Sequence, residues 1–504
     1  MRSLETLLLM VLVLTGFTWM FARSLAERWM RLSATAALVI ALLQMVTQGP
    51  RWQMLPAYAL AALVFLISML KNATKPGGPA GSKYQRPLVV GLGLPWLAAS
   101  VALPLVAPVF SFPTPSGQYA IGTTTHVWVD VSRSEVFAPD AKARRQLLVQ
   151  IWYPAKENRA APRAAYMPNA DAITAAFARI HGLPAFLFGH FKYATTNAMP
   201  MAAVAVDQAR YPVLLFLEGA TGFRQMNTYQ VEHLVSHGYI VVAIDQPGAA
   251  SAVVFPDGHQ TVGLNLAQFR AAVGPSYMPR GAQPSQKGMV LPNGRTLEDS
   301  SIIPYLAKDA SFVLDQLAGL DQADPSGVLT GRLNLQRIGS FGISLGGIVV
   351  GETCRVDARL KACLVMDAPM ATDLVKTGLQ QPGMWITREV ASMRLERERA
   401  GGWPEAEIES HQTSMRAVYE GLLGAGYFVR VPGMFHSNFT DIPNWTPLAS
   451  QLGLSGPIDG HRAHDIVNAY SLAFFDRHLQ GRDAEILDRP AKHYPEVLFE
   501  SRQP

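Results

Sequence analysis

Residues 338–347, which read IGSFGISLGG, constrain the fold more than any other segment of this chain. An apolar stretch precedes GISLG at residues 342–346, and the apolar residues 348–350 follow it. A strand, Gly-x-Ser-x-Gly and a helix in this order are typical of a sharp turn that carries a serine nucleophile, because the flanking glycines leave room for neighbouring backbone. The pattern predicts an accessible hydroxyl at Ser344 beside the free N–H groups of a helix start. The segment lacks the Lys of a phosphate-binding loop.

From about residue 116 onward, short apolar strands alternate with helices. We predict helices at residues 227–237, 306–320 and 466–478, and strands at residues 123–131, 147–152, 213–217, 239–244, 338–341, 364–366, 385–387 and 427–431. Strands joined by helices through right-handed crossovers form a mostly parallel sheet with helices on both faces. Residues 246–303 are rich in Gly and Pro and predict a long surface excursion, a candidate lid or insert.

The first 110 residues have a different composition. Four charge-free apolar stretches, at 6–22, 32–50, 52–70 and 87–110, are each close to the ~20 residues that cross a bilayer. The first is long for a signal peptide and lacks a small-residue cleavage site, and the tight turn at residues 50–51 leaves a re-entrant hairpin open. We predict an all-α membrane region of about four transmembrane helices over residues 1–110, followed by a catalytic domain over residues 111–504.

Lys and Arg are distributed unevenly along the chain. The whole chain has a formal charge of +5, but residues 1–110 hold nine Lys and Arg against two Glu, so the remainder is about −2. No basic patch with interleaved aromatic residues is present, which argues against nucleic-acid binding. Seven of the nine lie in the links between spans one and two and between spans three and four. The positive-inside rule therefore predicts a multi-pass protein, of a bacterial inner membrane, with its catalytic domain on the extracytoplasmic side.

The two cysteines are Cys354, in the helix after Ser344, and Cys363, in the next strand. Two cysteines form neither a disulfide framework nor a zinc-site spacing. We expect them to be small buried apolar residues rather than a functional pair.

A serine hydroxyl needs a base and an orienting carboxylate before it acts as a nucleophile. His436 is the candidate base because it follows the strand 427–431 in a loop at the expected sheet edge. Asp367 and Glu389 compete for the role of the acid, and Asp245 is a third candidate. Asp367 is favoured, since a carboxylate at the end of a buried strand has little structural reason to be there.

The oxyanion hole requires two backbone N–H groups. One is expected from Leu345, and the other from Ala220 in the loop EGATGFR at residues 218–224, for which a plain strand-to-helix turn is the alternative. No metal or cofactor is expected, because these N–H donors stabilise the negative charge that develops on the carbonyl oxygen.

Taken together, these motifs resemble the plasma-type platelet-activating-factor acetylhydrolases, the group-VII phospholipases A2. The likeness spans roughly residues 118–480 and includes the segments 216–224, 234–241, 338–347, 364–368 and 431–439. It implies an α/β-hydrolase fold and a calcium-independent serine hydrolase that removes short or oxidised acyl chains from phospholipids at the membrane. It also implies a triad of Ser344, Asp367 and His436, with Ala220 and Leu345 as oxyanion donors.

The resemblance supports Asp367 over Glu389, because the acid of this family lies one strand earlier than in most α/β-hydrolases. The chain departs from the family at Glu218, where His is common, and at Pro369, where Trp is frequent. Two other functions stay open. One is a broad carboxylesterase or polyester hydrolase, and the other is a non-catalytic membrane scaffold or sensor that keeps the fold.

Overall fold

The structure is a computed structural model, and it describes residues 1–21, 26–73, 85–138, 140, 142–273, 289–291, 294–297, 301–489 and 492–503. The chain forms two compact units. The first consists of Met1–Phe110, Phe186–Ala194 and Trp445–Leu448, and the second of Ser111–Ala185, Thr195–Asn444 and Ala449–Pro504.

The first unit is built on four helices: α1 (Ser3–Phe21), α2 (Ala26–Thr47), α3 (Leu55–Ala73) and α4 (Gln85–Val106). Two helical segments of 19 residues, Trp29–Thr47 and Trp52–Leu70, are long and apolar enough to cross a membrane, with mean hydropathies of 1.6 and 1.9. Two shorter apolar helical segments, Ser3–Trp19 and Gly91–Val106, correspond to the other predicted spans. By length and hydropathy, two of the four predicted spans are therefore candidate membrane-spanning helices.

A buried ion pair joins three ends of these helices. Arg51, in the turn between α2 and α3, contacts both carboxylate oxygens of Glu5 at 2.7 and 2.9 Å. Its Nη1 also donates to the carbonyl of Ala107, just after α4, at 2.7 Å. The start of α1, the α2–α3 turn and the end of α4 consequently lie together.

The two later segments of this unit pack on the same end through aromatic rings. Trp52 meets Phe186 edge to face at 5.4 Å between centroids, and Phe191 meets both Phe110 at 5.1 Å and Trp445 at 4.9 Å. Aromatic rings in edge-to-face contact stabilise a packing beyond the area they bury. Two stretches distant in sequence are thereby part of the helical unit.

The second unit contains a ten-stranded sheet in the order β14-β13-β12-β11-β10-β4-β5-β2-β1-β3. The strands of this sheet are β1 (Ala120–Ser134), β2 (Arg144–Ala155), β3 (Met199–Pro200), β4 (Tyr211–Leu217), β5 (Ile240–Asp245), β10 (Leu333–Ile343), β11 (Leu360–Met366), β12 (Gly383–Arg388), β13 (Gly426–Val431) and β14 (Leu498–Arg502). The six central strands, from β5 to β13, are parallel, whereas β2 and β14 flank them antiparallel. This is the predicted mostly parallel α/β sheet.

Helices cover both faces of this sheet. The α-helices that follow residue 110 are α5 (Ala170–Ile180), α6 (Thr228–Ser236), α7 (Leu266–Val273), α8 (Ile302–Gln322), α9 (Leu345–Val356), α10 (Thr372–Thr377), α11 (Val390–Ala400), α12 (Glu405–Glu420), α13 (Ile442–Trp445) and α14 (Gly460–Phe475). Every residue of β4 and β5 is buried, because both faces of these parallel strands are covered. Accordingly, all of their residues except the terminal Asp245 are apolar or proline.

Strand register brings the ends of the central strands to one edge. Gly342 of β10 pairs with Leu217 of β4, and Ile343 pairs with Met366 of β11. The residues that follow these strands, Glu218, Ser344 and Asp367, therefore leave the sheet side by side. Ligands of open α/β sheets bind at this carboxyl edge.

The excursion at 246–303 contains two small antiparallel pairs, β6 (Ala252–Val254) with β7 (Gln260–Val262) and β8 (Met289–Val290) with β9 (Thr296–Leu297). Ala250, Val253 and Phe255 pack with Leu148 in a small apolar cluster, so this part is attached to the sheet domain. Residues 274–288, 292–293 and 298–300 of the predicted lid lie outside the described residues. The lid stays a prediction.

Candidate active site

Ser344 stands between β10 and α9 with backbone angles of φ 56° and ψ −122°, which non-glycine residues rarely adopt. The two glycines around it are required by close packing. A Cβ on Gly346 would lie 2.0 Å from the carbonyl oxygen of Leu217, and one on Gly342 would lie 2.6 Å from the backbone of Gly346. The turn is the strained strand-to-helix geometry that presents a serine hydroxyl above a sheet.

The two expected oxyanion donors lie next to this serine. Leu345 is the first residue of α9, so its N–H has no acceptor within the helix. The loop that holds Ala220 follows β4, and a Cβ placed on Gly219 would be 3.4 Å from the Ser344 Cβ. Among the described residues, neither the Leu345 nor the Ala220 amide donates a hydrogen bond to a protein acceptor. Both N–H groups are available to a ligand oxygen.

His436 and Asp367 form a hydrogen-bonded pair. The Nδ1 of His436 lies 2.5 Å from Oδ2 of Asp367. The Asp367 side chain is fully buried, whereas 27% of the His436 side chain is exposed. A buried carboxylate on Nδ1 leaves the Nε2 side of the ring as the proton acceptor, as in a serine-hydrolase triad.

The hydroxyl of Ser344 makes no hydrogen bond to His436 within the described part of the chain. Such a bond is frequently long in unliganded enzymes and tightens on substrate binding. The structure thus pairs the candidate acid with the candidate base, and it brings Ser344 to the same sheet edge.

Two residues at the end of β12 also contact the Asp367 carboxylate. The hydroxyl of Thr387 donates to Oδ1 at 2.9 Å, and Nε of Arg388 lies 2.7 Å from Oδ2. The Arg388 contact is an ion pair rather than an aligned hydrogen bond, because its Nε–H is not directed at the oxygen. Burial alone would raise the pKa of Asp367, but the Arg388 charge and the His436 hydrogen bond hold it well below 3.8.

Sequence reasoning missed Arg388 and three further residues of this site. Glu396 pairs with Arg388, the fully buried His411 places Nε2 3.7 Å from Oδ1 of Asp367, and the Trp403 ring meets the His436 ring at 5.8 Å. Glu396, His411 and Trp403 lie on or next to helices α11 and α12, where no local motif marks them. For Arg388 a signal existed, since a charged residue at the end of an apolar strand is the same sign that identified Asp367.

Two other acidic candidates have different surroundings. Glu389 precedes α11 and makes no hydrogen bond to His436 within the described residues. Asp245, at the end of β5, accepts from the backbone N–H of Arg224 at 2.6 Å and pairs with its guanidinium. Asp245 is therefore engaged in the loop that follows β4.

Glu218, one of the two departures from the family pattern, is buried beside Asp245 and Arg224. Its carboxyl group is fully buried and lies close to the carboxyl of Asp245 and the backbone of Gln246. Burial first, and then the charge of Asp245, raise the pKa of Glu218 well above 4.5. Because Arg224 is the partner of Asp245, the proton of the two carboxyls resides on Glu218.

The expectation for the cysteines was wrong in one respect. Cys354 and Cys363 are buried as predicted, but they are joined by a disulfide across a separation of nine residues. Helix α9 and strand β11 lie next to each other, which the cysteine count alone does not reveal.

Comparisons with known proteins agree with this architecture. The family model described as platelet-activating factor acetylhydrolase, isoform II, matches residues 106–261. A platelet-activating factor acetylhydrolase of Cavia porcellus is 22% identical over 392 residues, which cover 73% of this chain and 78% of the relative. A probable 1-alkyl-2-acetylglycerophosphocholine esterase of Arthroderma benhamiae is 24% identical over 309 residues, covering 58% of this chain and 67% of the relative.

Among solved structures, a ferulic acid esterase from Streptomyces cinnamoneus has a TM-score of 0.57 and 28% identity, covering 77% of this chain and 99% of that chain. The sheet order, the strained serine turn and these matches define a carboxylic ester hydrolase of the α/β-hydrolase fold. More narrowly, the chain is similar to the platelet-activating factor acetylhydrolases, through the family model over residues 106–261 and through its curated relatives.

Proposed function

We propose that the chain hydrolyses short or oxidised acyl esters of phospholipids with Ser344, His436 and Asp367 as its catalytic triad. The observation that carries the proposal is the 2.5 Å contact between His436 Nδ1 and the buried Asp367 carboxylate, at the sheet edge that also presents Ser344. A phospholipid substrate is supported by the acetylhydrolase and glycerophosphocholine esterase names of the relatives.

The reaction is acyl transfer through a covalent intermediate. His436 takes the proton of the Ser344 hydroxyl as Oγ attacks the ester carbonyl, and Asp367 stabilises the imidazolium. The N–H groups of Ala220 and Leu345 donate to the oxyanion, and each such donor contributes ~2.7–4 kcal/mol to the transition state. His436 then protonates the leaving alcohol, after which water repeats the sequence and releases the acid.

We further propose that the membrane region spans the bilayer four times and that the catalytic domain is extracytoplasmic. The meeting of the α1 start, the α2–α3 turn and the α4 end supports four antiparallel crossings. The disulfide between Cys354 and Cys363 supports an oxidising compartment, where such bonds persist. Residues 1–110 and 111–504 are the membrane and catalytic parts in this proposal.

The test of the catalytic assignment is Ser344→Ala in the full chain, purified in detergent. Hydrolysis of p-nitrophenyl acetate should fall at least ~10⁴-fold, because a missing triad nucleophile removes nearly all covalent catalysis. Labelling by a fluorophosphonate probe should be lost as well. Ser340→Ala is the matched control, since Ser340 lies four residues earlier in β10 and its buried hydroxyl has no partner among the described residues.

Wild-type turnover in Ser344→Ala would contradict the assignment. A wild-type chain that neither hydrolyses esters nor reacts with the probe would instead favour a non-catalytic scaffold.

A second candidate, a broad carboxylesterase, is favoured by the ferulic acid esterase match. The ratio of kcat/KM for an acetyl-glycerophosphocholine in vesicles to that for a soluble aryl ester separates the two. A ratio well above one is expected for the phospholipid hydrolase, and a ratio well below one would favour the broad esterase.

A further inference from the structure

Arg388 is a fully buried cation at the edge of the sheet that carries the candidate site. It is the last residue of β12, and its side chain is fully buried. Its backbone is paired with Val431 of the neighbouring strand β13, and β12 itself lies two strands away from β10. Burying a guanidinium is costly unless anionic groups accompany it. The partners of Arg388 therefore indicate why the residue is kept in this position.

The first partner is the acid of the proposed triad. Nε of Arg388 lies 2.7 Å from Asp367 Oδ2, the same oxygen that contacts His436 Nδ1 at 2.5 Å. The carboxylate is thus held between the guanidinium and the imidazole. Thr387 fixes the second oxygen at 2.9 Å.

The second partner leads to the base of the triad. Nη1 of Arg388 pairs with the carboxylate of Glu396 on α11. Both oxygens of Glu396 lie 3.3 Å from the backbone N of His436. Arg388 consequently connects the side chain of Asp367 to the backbone of the His436 loop through one charged bridge.

The groups around this bridge leave Arg388 as the main counter-charge of Asp367. From α12, His411 faces the carboxylate at 3.7 Å, but burial lowers its pKa to about 4, so it is neutral over most of the pH range. The Trp403 ring lies 5.6 Å from Arg388 Cζ and meets the His411 ring edge to face at 5.2 Å. An aromatic face next to a guanidinium adds a cation–π attraction and limits its motion.

We propose that Arg388 is a positioning residue of this ester hydrolase, a clamp that fixes the Asp367 carboxylate and the His436 backbone relative to each other. The proposal rests on the proposed function, in which Asp367 and His436 act with Ser344. Arg388 acts through these residues and touches neither the substrate nor the attacking oxygen. Its effect is to keep the imidazole in the orientation that accepts and returns the Ser344 proton.

The test compares Arg388→Met with Arg394→Met in the full chain. Arg394 is the matched control because it lies on α11, is half exposed and pairs with Glu405. Arg388→Met should lower kcat for p-nitrophenyl acetate by about 10- to 100-fold, the range typical of removing a group that orients a reactive residue. KM should change little, since substrate contacts are intact.

A second readout separates positioning from a general loss of structure. Without the Arg388 charge, protonation of Asp367 is opposed less, so the acidic limb of the kcat/KM profile should move toward neutral pH. Arg388→Lys keeps the positive charge but lacks the several N–H donors of the guanidinium. It should keep the acidic limb of the kcat/KM profile near its wild-type position and give an intermediate kcat. Glu396→Gln weakens only the His436 side and should lower kcat with little shift of the limb.

A folded Arg388→Met protein, judged by its circular dichroism and Tm, with the kcat and pH profile of Arg394→Met would overturn the proposal. If Arg388→Met does not fold, wild-type kcat in both Arg388→Lys and Glu396→Gln would overturn it. Failure of the proposed function is distinguishable, because it would appear as an active Ser344→Ala protein or an inactive wild type.

Discussion

Three residues of the candidate site hold positive φ angles although they are not glycine: Thr221 at 61°, Ser344 at 56° and Asp367 at 44°. Such conformations cost on the order of 1–3 kcal/mol each and persist only where the surroundings enforce them. Here the neighbouring backbone does so. The N–H groups of Thr221, Ser344 and Asp367 donate to the carbonyls of Ala249, Met366 and Ile386 at 2.7, 3.0 and 2.9 Å.

At the same scale, Glu218 makes stability depend on pH. The unfolded chain ionises this carboxyl near 4.5, whereas the folded protein keeps it protonated because its pKa is raised. The free energy of unfolding therefore falls as pH rises above about 4.5, by up to ~1.4 kcal/mol per pH unit, until the pH exceeds the pKa in the folded state.

Glu218→Gln removes the titratable carboxyl group and nearly conserves the shape of the side chain. We expect the Tm of Glu218→Gln, relative to wild type, to increase steadily from acidic to neutral pH. The exposed Glu398→Gln change on α11 is the control and should show a constant difference. A pH-independent Tm difference for Glu218→Gln would contradict a buried neutral acid at this position.

At the scale of elements, the disulfide connects helix α9 and strand β11, which adjoin the proposed nucleophile and the proposed acid. Cys354 lies in α9, which starts directly after Ser344, and Cys363 lies in β11, which ends directly before Asp367. A cross-link between adjacent elements restricts the unfolded chain and supports the packing of α9 against β11.

Replacing both cysteines, Cys354→Ala with Cys363→Ala, should lower the free energy of unfolding by about 2–3 kcal/mol, the loop-entropy value for a loop of this size. Urea unfolding of the full chain in detergent, with and without a thiol reductant, measures the difference. The reductant should lower the wild-type midpoint and leave that of the double variant unchanged. An unchanged wild-type midpoint under complete reduction would disprove a stabilising role.

At the scale of the whole molecule, the helical unit includes Phe186–Ala194 and Trp445–Leu448 as well as the first 110 residues. The Thr446 hydroxyl donates to the carbonyl of Val106 at 2.5 Å, and the Tyr193 hydroxyl donates to that of Pro50 at 2.8 Å. These polar contacts are at the same end as the Arg51–Glu5 pair. That end is the extracytoplasmic one in the proposed topology.

The topology is testable by cysteine labelling in the cysteine-free double variant. Ser116→Cys, at an exposed position after the last span, should react with a membrane-impermeant maleimide when only the outer envelope is opened. Ser82→Cys, in the Lys-rich link between the third and fourth spans, should react only after the inner membrane is permeabilised. The reverse pattern would place the catalytic domain in the cytoplasm.

Local sequence patterns predicted the α/β fold and the positions of its central strands along the chain. The eight predicted strands overlap observed ones, because an apolar run between turn residues marks a buried strand whatever surrounds it. The edge strand β14 was missed, since its residues are half exposed and carry no such run. Sequence also determined the serine turn, because its glycines are required by backbone packing within a few residues.

Only the tertiary structure decided which further side chains surround Asp367. The sequence predicted its partner His436, whereas Arg388 and His411 approach it from β12 and α12. Glu396 on α11 joins this cluster through Arg388. The disulfide and the burial of the Glu218 carboxyl were likewise decided only by the tertiary structure. Contacts of this kind depend on strand order and helix placement, so the residues that make them have no pattern of their own along the chain.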